Sequence, residues 1–289
     1  MNDANTKLYG LLAHPAHHSM SPLIHNTAFA QLKINATYLA FDVDQPKVQP
    51  ILESMKLMEI GGVNLSMPFK GTVVPYLDSL SESAKKLEAV NTIVNDDGRL
   101  RGYNTDGQGF LGALTNQGIS MTDKQVIVLG AGGAARAIIL ASVKSGAREV
   151  IVIKRDNATF QATKHELESW SKRVKVISFA EHDVLINLMQ TADILVNGTN
   201  VGMAGNDELP LQKSELAELH SGQVVFDAIY FPLTTPLLRI AKQQGCVAMN
   251  GTGMLVFQAA AAFKLWTGTD MPVDVVMKAV NDEILRRSK

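Results

Sequence analysis

Cysteine is almost missing from this chain: Cys246 is the single one in 289 residues. That excludes an internal disulfide framework and suits a reducing, cytoplasmic setting. A charge bias is missing too. Lysine and arginine total 27 against 28 aspartates and glutamates, so no global field draws the chain to nucleic acid or to an anionic membrane. No apolar run approaches the roughly 20 residues that span a bilayer, and the opening MNDANTKLYG is polar, without the apolar core of a secretory signal. A G-x-S-x-G elbow and a G-K-[ST] phosphate loop are both lacking, which leaves a serine hydrolase or a P-loop NTPase without support. His14, His17, His18 and His25 crowd the N-terminal region. They have no metalloprotease spacing, no nearby cysteine and no obvious carboxylate partner, so they read as surface or capping residues and no metal is expected. What remains is an ordinary globular mix, 46% hydrophobic and 19% charged, in a chain long enough for two domains.

The most informative segment is 126–156. The apolar strand VIVLG runs into GAGGAA and a helix, and a second apolar strand, VIVI, follows at 150–153. Read from Gly130, the turn is G-x-G-x-x-A, with Gly130, Gly132 and Ala135 at its marked positions. Gly130 permits the tight turn, Gly132 lets backbone approach a pyrophosphate, and the small Ala135 lets helix and strand pack closely. The helix N-terminus offers N–H groups and a positive dipole end to phosphates. Lys154, Arg155 and Asp156 follow the second strand, where an adenosine ribose would lie. This is the layout of a dinucleotide-binding β-α-β unit.

Apolar strand candidates recur at 174–178, 194–197, 224–227 and 247–249, with helical segments between them. Six strands alternating with helices predict a parallel, doubly wound sheet covered on both faces. The fold class is therefore α/β, a Rossmann-type domain over 107–250 beside a smaller α/β substrate-binding domain over 1–106. In the smaller domain, short strands are expected at 8–12, 37–43 and 61–66. Ser21-Pro22 reads as N-cap and N1 of a helix, and NTIVNDDGRLRGYN (91–104) reads as a hairpin. After Gly253 the tail is helical. Its last helix carries apolar residues at 273, 276, 277, 280 and 284, which need a partner surface, so 251–289 is expected to complete the substrate domain.

A nicotinamide cofactor implies hydride transfer, which needs a proton donor or acceptor at the substrate oxygen. Lys70, closing NLSMPFK (64–70), and Asp106, in YNTDG, are the candidates. A lysine held beside a carboxylate stays protonated and can serve a carbonyl becoming an alkoxide. The plainer readings are a solvated lysine and an N-cap at Asp106 for a helix over 107–117. HSMSP (18–22) sets Ser19 and Ser21 two apart before a helix N-terminus, fit to grip a carboxylate or simply to cap. Asn64, Asn91, Asn104 and Gln258 are amides in apolar or turn contexts that suit turns or a polyhydroxylated ligand. Gln258 lies in the apolar stretch MLVFQAAAAF, where a buried amide needs a partner.

Taken together, HSMSPLIHN (18–26), NLSMPFK (64–70), AVNTIV (89–94), GYNTDG (102–107), GAGGAAR (130–136), NGTNVGM (197–203) and NGTGMLVFQ (250–258) resemble the shikimate dehydrogenase family in order and spacing. The resemblance covers nearly the whole chain and is nearest to the quinate/shikimate dehydrogenase branch. It implies reversible NAD- or NADP-dependent reduction of 3-dehydroshikimate to shikimate in aromatic amino-acid biosynthesis, by hydride transfer across an interdomain cleft. Carried onto this chain, Lys70 and Asp106 are the catalytic pair and Ser19 and Ser21 hold the substrate carboxylate. Ser66, Asn91, Asp106 and Gln258 take ring hydroxyls, with Tyr38 and Tyr230 lining the pocket. Gly130, Ala131, Gly132, Gly133 and Ala134 cradle the pyrophosphate, and Ile229 and Gly251 flank the nicotinamide.

Two departures from the family pattern shape the expectations. Ser66 stands where the family usually has threonine, which keeps the hydroxyl, removes a methyl and makes room for the extra hydroxyl of quinate. NADP-specific members usually carry Asn-Arg-Thr after the second strand, whereas this chain reads Lys154-Arg155-Asp156-Asn157. The two cations suit a 2′-phosphate, while Asp156, or Asn157 after a one-residue slip, suits the 2′-hydroxyl of NAD. NAD, alongside NADP, is therefore the expected cofactor. The partners expected are a small-molecule substrate and no nucleic acid or membrane. A homodimer is the assembly to test for, since many soluble enzymes are dimers, although no segment identifies an interface. Rival readings are a quinate dehydrogenase acting in catabolism, a folate or amino-acid dehydrogenase of similar fold, and a non-catalytic NAD(P)-binding regulator. The Ser-x-Ser and Asn-Thr-Asp-Gly motifs argue against the second, and retention of Lys70 and Asp106 against the third.

Overall fold

The computed structural model describes residues 3–44, 48–203 and 207–288. The chain packs as two units, one running up to Gly109 and resuming over Val256–Arg286, the other spanning Phe110–Leu255. The division falls inside two helices rather than at 106/107 and 250/251, because each of those helices begins in one unit and ends in the other.

The first unit holds β1 (Lys7–Ala13), α1 (Ser21–Leu32), β2 (Ala36–Asp42), α2 (Val48–Leu57), β3 (Gly62–Leu65), α3 (Phe69–Thr72), β4 (Ser79–Leu80), α4 (Glu82–Leu87), β5 (Thr92–Asp96) and β6 (Arg99–Tyr103), and it contains the start of α5 (Asp106–Asn116). Its sheet runs β2-β1-β3-β5-β6-β4. β2, β1 and β3 are parallel, β5 is antiparallel to both β3 and β6, and the two-residue β4 pairs parallel with β6. The expected hairpin forms with a two-residue turn. Asp97 and Gly98 both take positive φ, 48° and 84°, the mirror-image turn whose twist matches the flanking strands. Leu12, Val63, Leu65, Phe69, Ile93 and Leu100 bury a common core beneath it.

Three local expectations are corrected here. Ser21 does not cap α1: the helix begins at Ser21 with Met20 at the cap, and the Ser19 hydroxyl oxygen accepts from the Ser21 N–H at 3.1 Å. The serine two residues earlier thus closes the turn, while the Ser21 hydroxyl turns inward to Tyr38. His25 is not at the surface. It is fully buried, its ring stacked 4.5 Å from that of Tyr38, and burial pushes its pKa down to about 3. His14 and His17, finally, do have a carboxylate partner. Asp42, at the end of β2, reaches both, at 2.6 and 3.1 Å.

The second unit opens on the remainder of α5 and continues with β7 (Gln125–Leu129), α6 (Gly133–Lys144), β8 (Glu149–Lys154), α7 (Phe160–Glu168), β9 (Val174–Ser178), α8 (His182–Thr191), β10 (Ile194–Asn197), α9 (Lys213–Leu216), β11 (Val224–Asp227), α10 (Pro236–Gln243) and β12 (Val247–Met249). Its six strands are all parallel, in the order β9-β8-β7-β10-β11-β12. This is the doubly wound order of dinucleotide-binding domains, with the chain reversing direction across the sheet between β7 and β10. Ligands of such sheets bind beyond the C-terminal strand ends at that point. The near-continuous apolar runs of β7, β8, β10 and β11 follow from burial on both faces.

Two helices end the chain, α11 (Thr252–Thr267) and α12 (Val273–Arg287). From Val256 to Arg286 they belong to the first unit, where α12 buries Val276, Val280 and Ile284. Trp266 fastens α11 there: its indole N–H donates to the Ile93 carbonyl at 2.9 Å, and its ring stacks on Tyr9 at 5.1 Å. Gly61 and Gly62 make the space, since a Cβ on Gly61 would lie 2.6 Å from the Tyr9 ring and one on Gly62 2.6 Å from the Ile93 carbonyl oxygen. Among the described residues no helix is long and apolar enough to cross a membrane. Trp266→Ala should lower the unfolding free energy by roughly 3 kcal/mol, read as a shift in urea midpoint at constant slope. Trp266→Phe, which keeps the stack and loses one hydrogen bond, should cost about 1 kcal/mol.

Candidate active site

Lys70 reaches its position because NLSMPFK leaves the sheet at β3 and turns at once into α3. Asp106 follows β6, which runs in the same direction as β3 across the antiparallel β5, and is the first residue of α5. The Lys70 ammonium donates to Asp106 Oδ2 at 2.6 Å, with the two side chains 30% and 10% exposed. The other carboxylate oxygen accepts from Asn91 Nδ2 at 2.8 Å. Asp106 is therefore the hub of the cluster and not a helix cap. Asn91, itself buried, is held by its own network: its Oδ1 accepts from the Thr105 N–H at 2.9 Å and the Thr92 hydroxyl at 3.0 Å. Its Nδ2 also approaches Gln258 Oε1 at 3.4 Å, which gives the amide on α11 its partner. The half-exposed ammonium is left able to exchange a proton with a bound molecule.

Ser19, Ser21 and Ser66 lie in the same unit, Ser21 buried, Ser19 half-buried and Ser66 exposed. Ser66 is placed by its N–H on the Leu12 carbonyl at 3.1 Å and by its own carbonyl, which accepts from Phe69 at 2.9 Å. Tyr38 stands apart from the exposed group. It is fully buried and its hydroxyl donates to Asn64 Oδ1 at 2.9 Å, so it backs the site and presents no face to a ligand. Asn64 in turn donates to the Thr92 hydroxyl at 3.0 Å. A line of buried polar groups thus runs from Ser21 through Tyr38, Asn64 and Thr92 to Asn91 and Asp106.

In the second unit, Gly130 takes φ +92° at the end of β7, and Gly132 precedes α6 with no side chain capping it. A Cβ added at Gly132 or Gly133 meets nothing within 4 Å, so both face open space of the kind a pyrophosphate needs. Ala135 is small for a different reason, because Gly198 after β10 packs against it. Arg136 Nε donates to the Ala131 carbonyl at 3.0 Å while its guanidinium pairs with Glu166, which fixes the shape of the glycine loop. After β8, the Lys154 ammonium is spent locally on Asn157 Oδ1 at 2.7 Å and the Thr159 hydroxyl at 2.8 Å. That oxygen also accepts from Thr159. Lys154 and Asn157 therefore build the loop, and the exposed Arg155 and Asp156 are the side chains it presents.

Beyond β10 and β11 the sequence reading missed the controlling group. Asp227 is completely buried and accepts from Asn197 Nδ2 at 3.1 Å, the Ile229 N–H at 3.1 Å and the Thr235 hydroxyl at 2.7 Å. Thr235 accepts from Leu238 N–H as the cap of α10, so its proton goes to Asp227. Burial pushes the Asp227 pKa up, while three donors hold the carboxylate form. The effect is to fix the segment carrying Ile229, which is buried, and the half-buried Tyr230. Gly251 is glycine because its Cα lies against the Ala228–Ile229 backbone, where a Cβ would overlap the Ala228 carbonyl.

The chain matches the model of the shikimate dehydrogenase substrate-binding domain over residues 11–93 and that of the shikimate 5′-dehydrogenase C-terminal domain over 251–280. A shikimate dehydrogenase (NADP(+)) of Lactococcus lactis is 40% identical over 286 residues, covering 98% of this chain and 99% of that protein. The chain belongs to the shikimate dehydrogenase family. A solved shikimate 5-dehydrogenase of Listeria monocytogenes, in complex with shikimate and NAD, superposes with a TM-score of 0.91 at 36% identity, covering 96% and 97% of the two chains. A 5-ketofructose reductase of a Gluconobacter strain has a TM-score of 0.88 at 28% identity over 97% and 99%. Shikimate dehydrogenase relatives are thus joined in this fold by a reductase with another name, and the side chains of the site have to decide between substrates.

Among residues missed from sequence, Asp227 left a faint signal, a carboxylate closing an otherwise apolar strand, VVFD. Thr92 and Arg136 left none, because a threonine in a strand and an arginine on a helix are ordinary. The open space before Gly132 sets up a clean test. Gly132→Val should leave the melting temperature and circular dichroism close to wild type and raise the KM for nicotinamide dinucleotide about tenfold or more. An unchanged KM would move the phosphate away from this loop.

Proposed function

We propose that this protein catalyses the reversible, NAD(P)-dependent reduction of 3-dehydroshikimate to shikimate and also accepts quinate and 3-dehydroquinate. The Lys70–Asp106–Asn91 cluster carries the reading, supported by the high coverage of relatives named as shikimate dehydrogenases. Bound nicotinamide would supply or accept the hydride. Lys70 gives a proton to the ring oxygen during reduction and takes it back during oxidation, while Asp106 orients the ammonium and Asn91 holds Asp106 in place. Ser19 and Ser21 hold the carboxylate, and Ser66, Asn91, Asp106 and Gln258 hold ring hydroxyls. Tyr230 lines the pocket, and Ile229 and Gly251 set the nicotinamide segment. A ketose substrate has no carboxylate, so the two-serine turn favours a cyclic hydroxy acid over it.

The 130–134 loop fits a pyrophosphate through its open glycines. Of the four residues after β8, Asp156 is suited to a 2′-hydroxyl and Arg155 to a 2′-phosphate. We therefore infer use of NAD alongside NADP, with Lys154 and Asn157 supporting their loop.

Initial rates with shikimate and quinate, each against NAD and NADP at mildly alkaline pH, test the reading. Turnover of both acids with NAD is expected. An NADP preference of a hundredfold or more in kcat/KM would overturn the cofactor inference, and no turnover of either acid would overturn the function. Ser66→Thr should lower the quinate rate selectively, and an equal effect on both acids would remove Ser66 from substrate choice. Lys70→Ala should cut kcat by about 10²–10⁴-fold with little change in shikimate KM. A large KM effect alone would reassign Lys70 to binding.

A further inference from the structure

Asp42 is not part of the catalytic cluster, yet three groups of one turn converge on it. Its Oδ1 lies 2.6 Å from His14 Nδ1, its Oδ2 accepts from the Ala16 N–H at 3.0 Å, and His17 Nε2 stands 3.1 Å from the same Oδ2. The turn then continues hand to hand. The Ala16 carbonyl accepts from the Ser19 N–H at 3.2 Å, and the Ser19 hydroxyl oxygen accepts from the Ser21 N–H at 3.1 Å. The far side of the turn is tied by the His14 N–H on the Met67 carbonyl at 3.1 Å, next to Ser66. Asp42 is itself placed by β2, which pairs with β1 in a register that sets it opposite Ala13.

The electrostatics agree with the geometry. The Asp42 carboxylate raises the His14 pKa, with Asp44 adding to the effect, and the Ala16 N–H and the His14 ring lower that of Asp42. The turn has little apolar anchoring of its own, since His14, Pro15, His17 and His18 are all exposed and only Ala16 and Met20 are buried. A loop of that kind takes its shape from its polar bonds.

We propose that Asp42 is a positioning residue for substrate-carboxylate binding: it fastens the 14–19 turn so that the half-buried Ser19 hydroxyl is presented to the carboxylate, beside a Ser21 hydroxyl that also meets Tyr38. The inference rests on the reading that Ser19 and Ser21 hold the carboxylate of shikimate. Because Ser19 spends its oxygen on the Ser21 N–H, its own proton stays available to an anion. The direction of that proton depends on where the turn sits, which Asp42 decides through Ala16. Asp42→Asn keeps the shape of the side chain but loses the charge and one acceptor, so it cannot serve His14 and Ala16 equally.

The experiment compares wild type and Asp42→Asn with shikimate and with its methyl ester at pH 7, together with the KM for the dinucleotide and the melting temperature. The variant should raise the shikimate KM about tenfold, the worth of one charge-assisted hydrogen bond. The ester KM, the dinucleotide KM and kcat should stay within about twofold, and the melting temperature within a few degrees. Equal KM increases for acid and ester would show a general loss of structure and overturn the assignment, as would no change for either. If wild type turns over neither shikimate nor quinate, the proposed function falls first and this inference with it. A wild type that turns over shikimate while the variant shows no acid-specific effect sinks the role of Asp42 alone.

Discussion

A carboxylate taken out of water must be matched or it unfolds its surroundings, and in the first unit that carboxylate is Asp106. Only a tenth of its side chain is exposed, so each oxygen requires a donor, one supplied by Lys70 and the other by Asn91. Satisfying Asp106 fixes much else. Asn91 must be held rigidly enough to donate, which Thr92 and Thr105 accomplish, and α3 must leave β3 at an angle that delivers Lys70. The pair and its supports are therefore one arrangement: removing a supporting amide would leave a buried charge short of a donor.

The second unit solves a related problem with a different buried acid. Asp227 has no cation beside it among its bonded partners and is stabilised by three neutral donors. Asn197 and Asp227 stand opposite each other in the register of β10 and β11, so their side chains meet at the C-terminal edge of the parallel sheet. Asn197 also accepts from Thr199, which ties the loop after β10 to the same point. Both loops beyond the strand ends thus take their course from one buried pair, on the side of the sheet where doubly wound folds bind ligands.

Much of the architecture was legible. The six parallel strands and the glycine turn announced themselves because strands buried on both faces must be apolar throughout, and because Gly130 needs a positive φ. The Asp97-Gly98 hairpin was legible for the same kind of reason. Helix starts were less so: the Ser21 and Ser19 hydroxyl oxygens are equally good acceptors for a turn N–H, and only the inward pull of Tyr38 settles which of them closes it. His25 misled because histidine is usually wet, and nothing local announces that Tyr38, Phe263 and Trp266 will surround it. Lys154 shows the same limit: a cation after the second strand has an obvious phosphate to meet, and nothing local announces that Asn157 and Thr159 also engage its ammonium.

By itself, then, the sequence determined which residue types stand at strand ends and turns, and hence the α/β class, the dinucleotide unit and a short list of reactive side chains. Those properties depend on local periodicity and backbone conformation, which neighbours in the chain suffice to impose. Only the tertiary structure decided which members of the list touch: Lys70 with Asp106 across 36 positions, His14 with Asp42 across 28, Asn91 with Gln258 across 167. Hydrogen bonds act over about 3 Å, and no local rule says which distant backbone segments packing will bring that close.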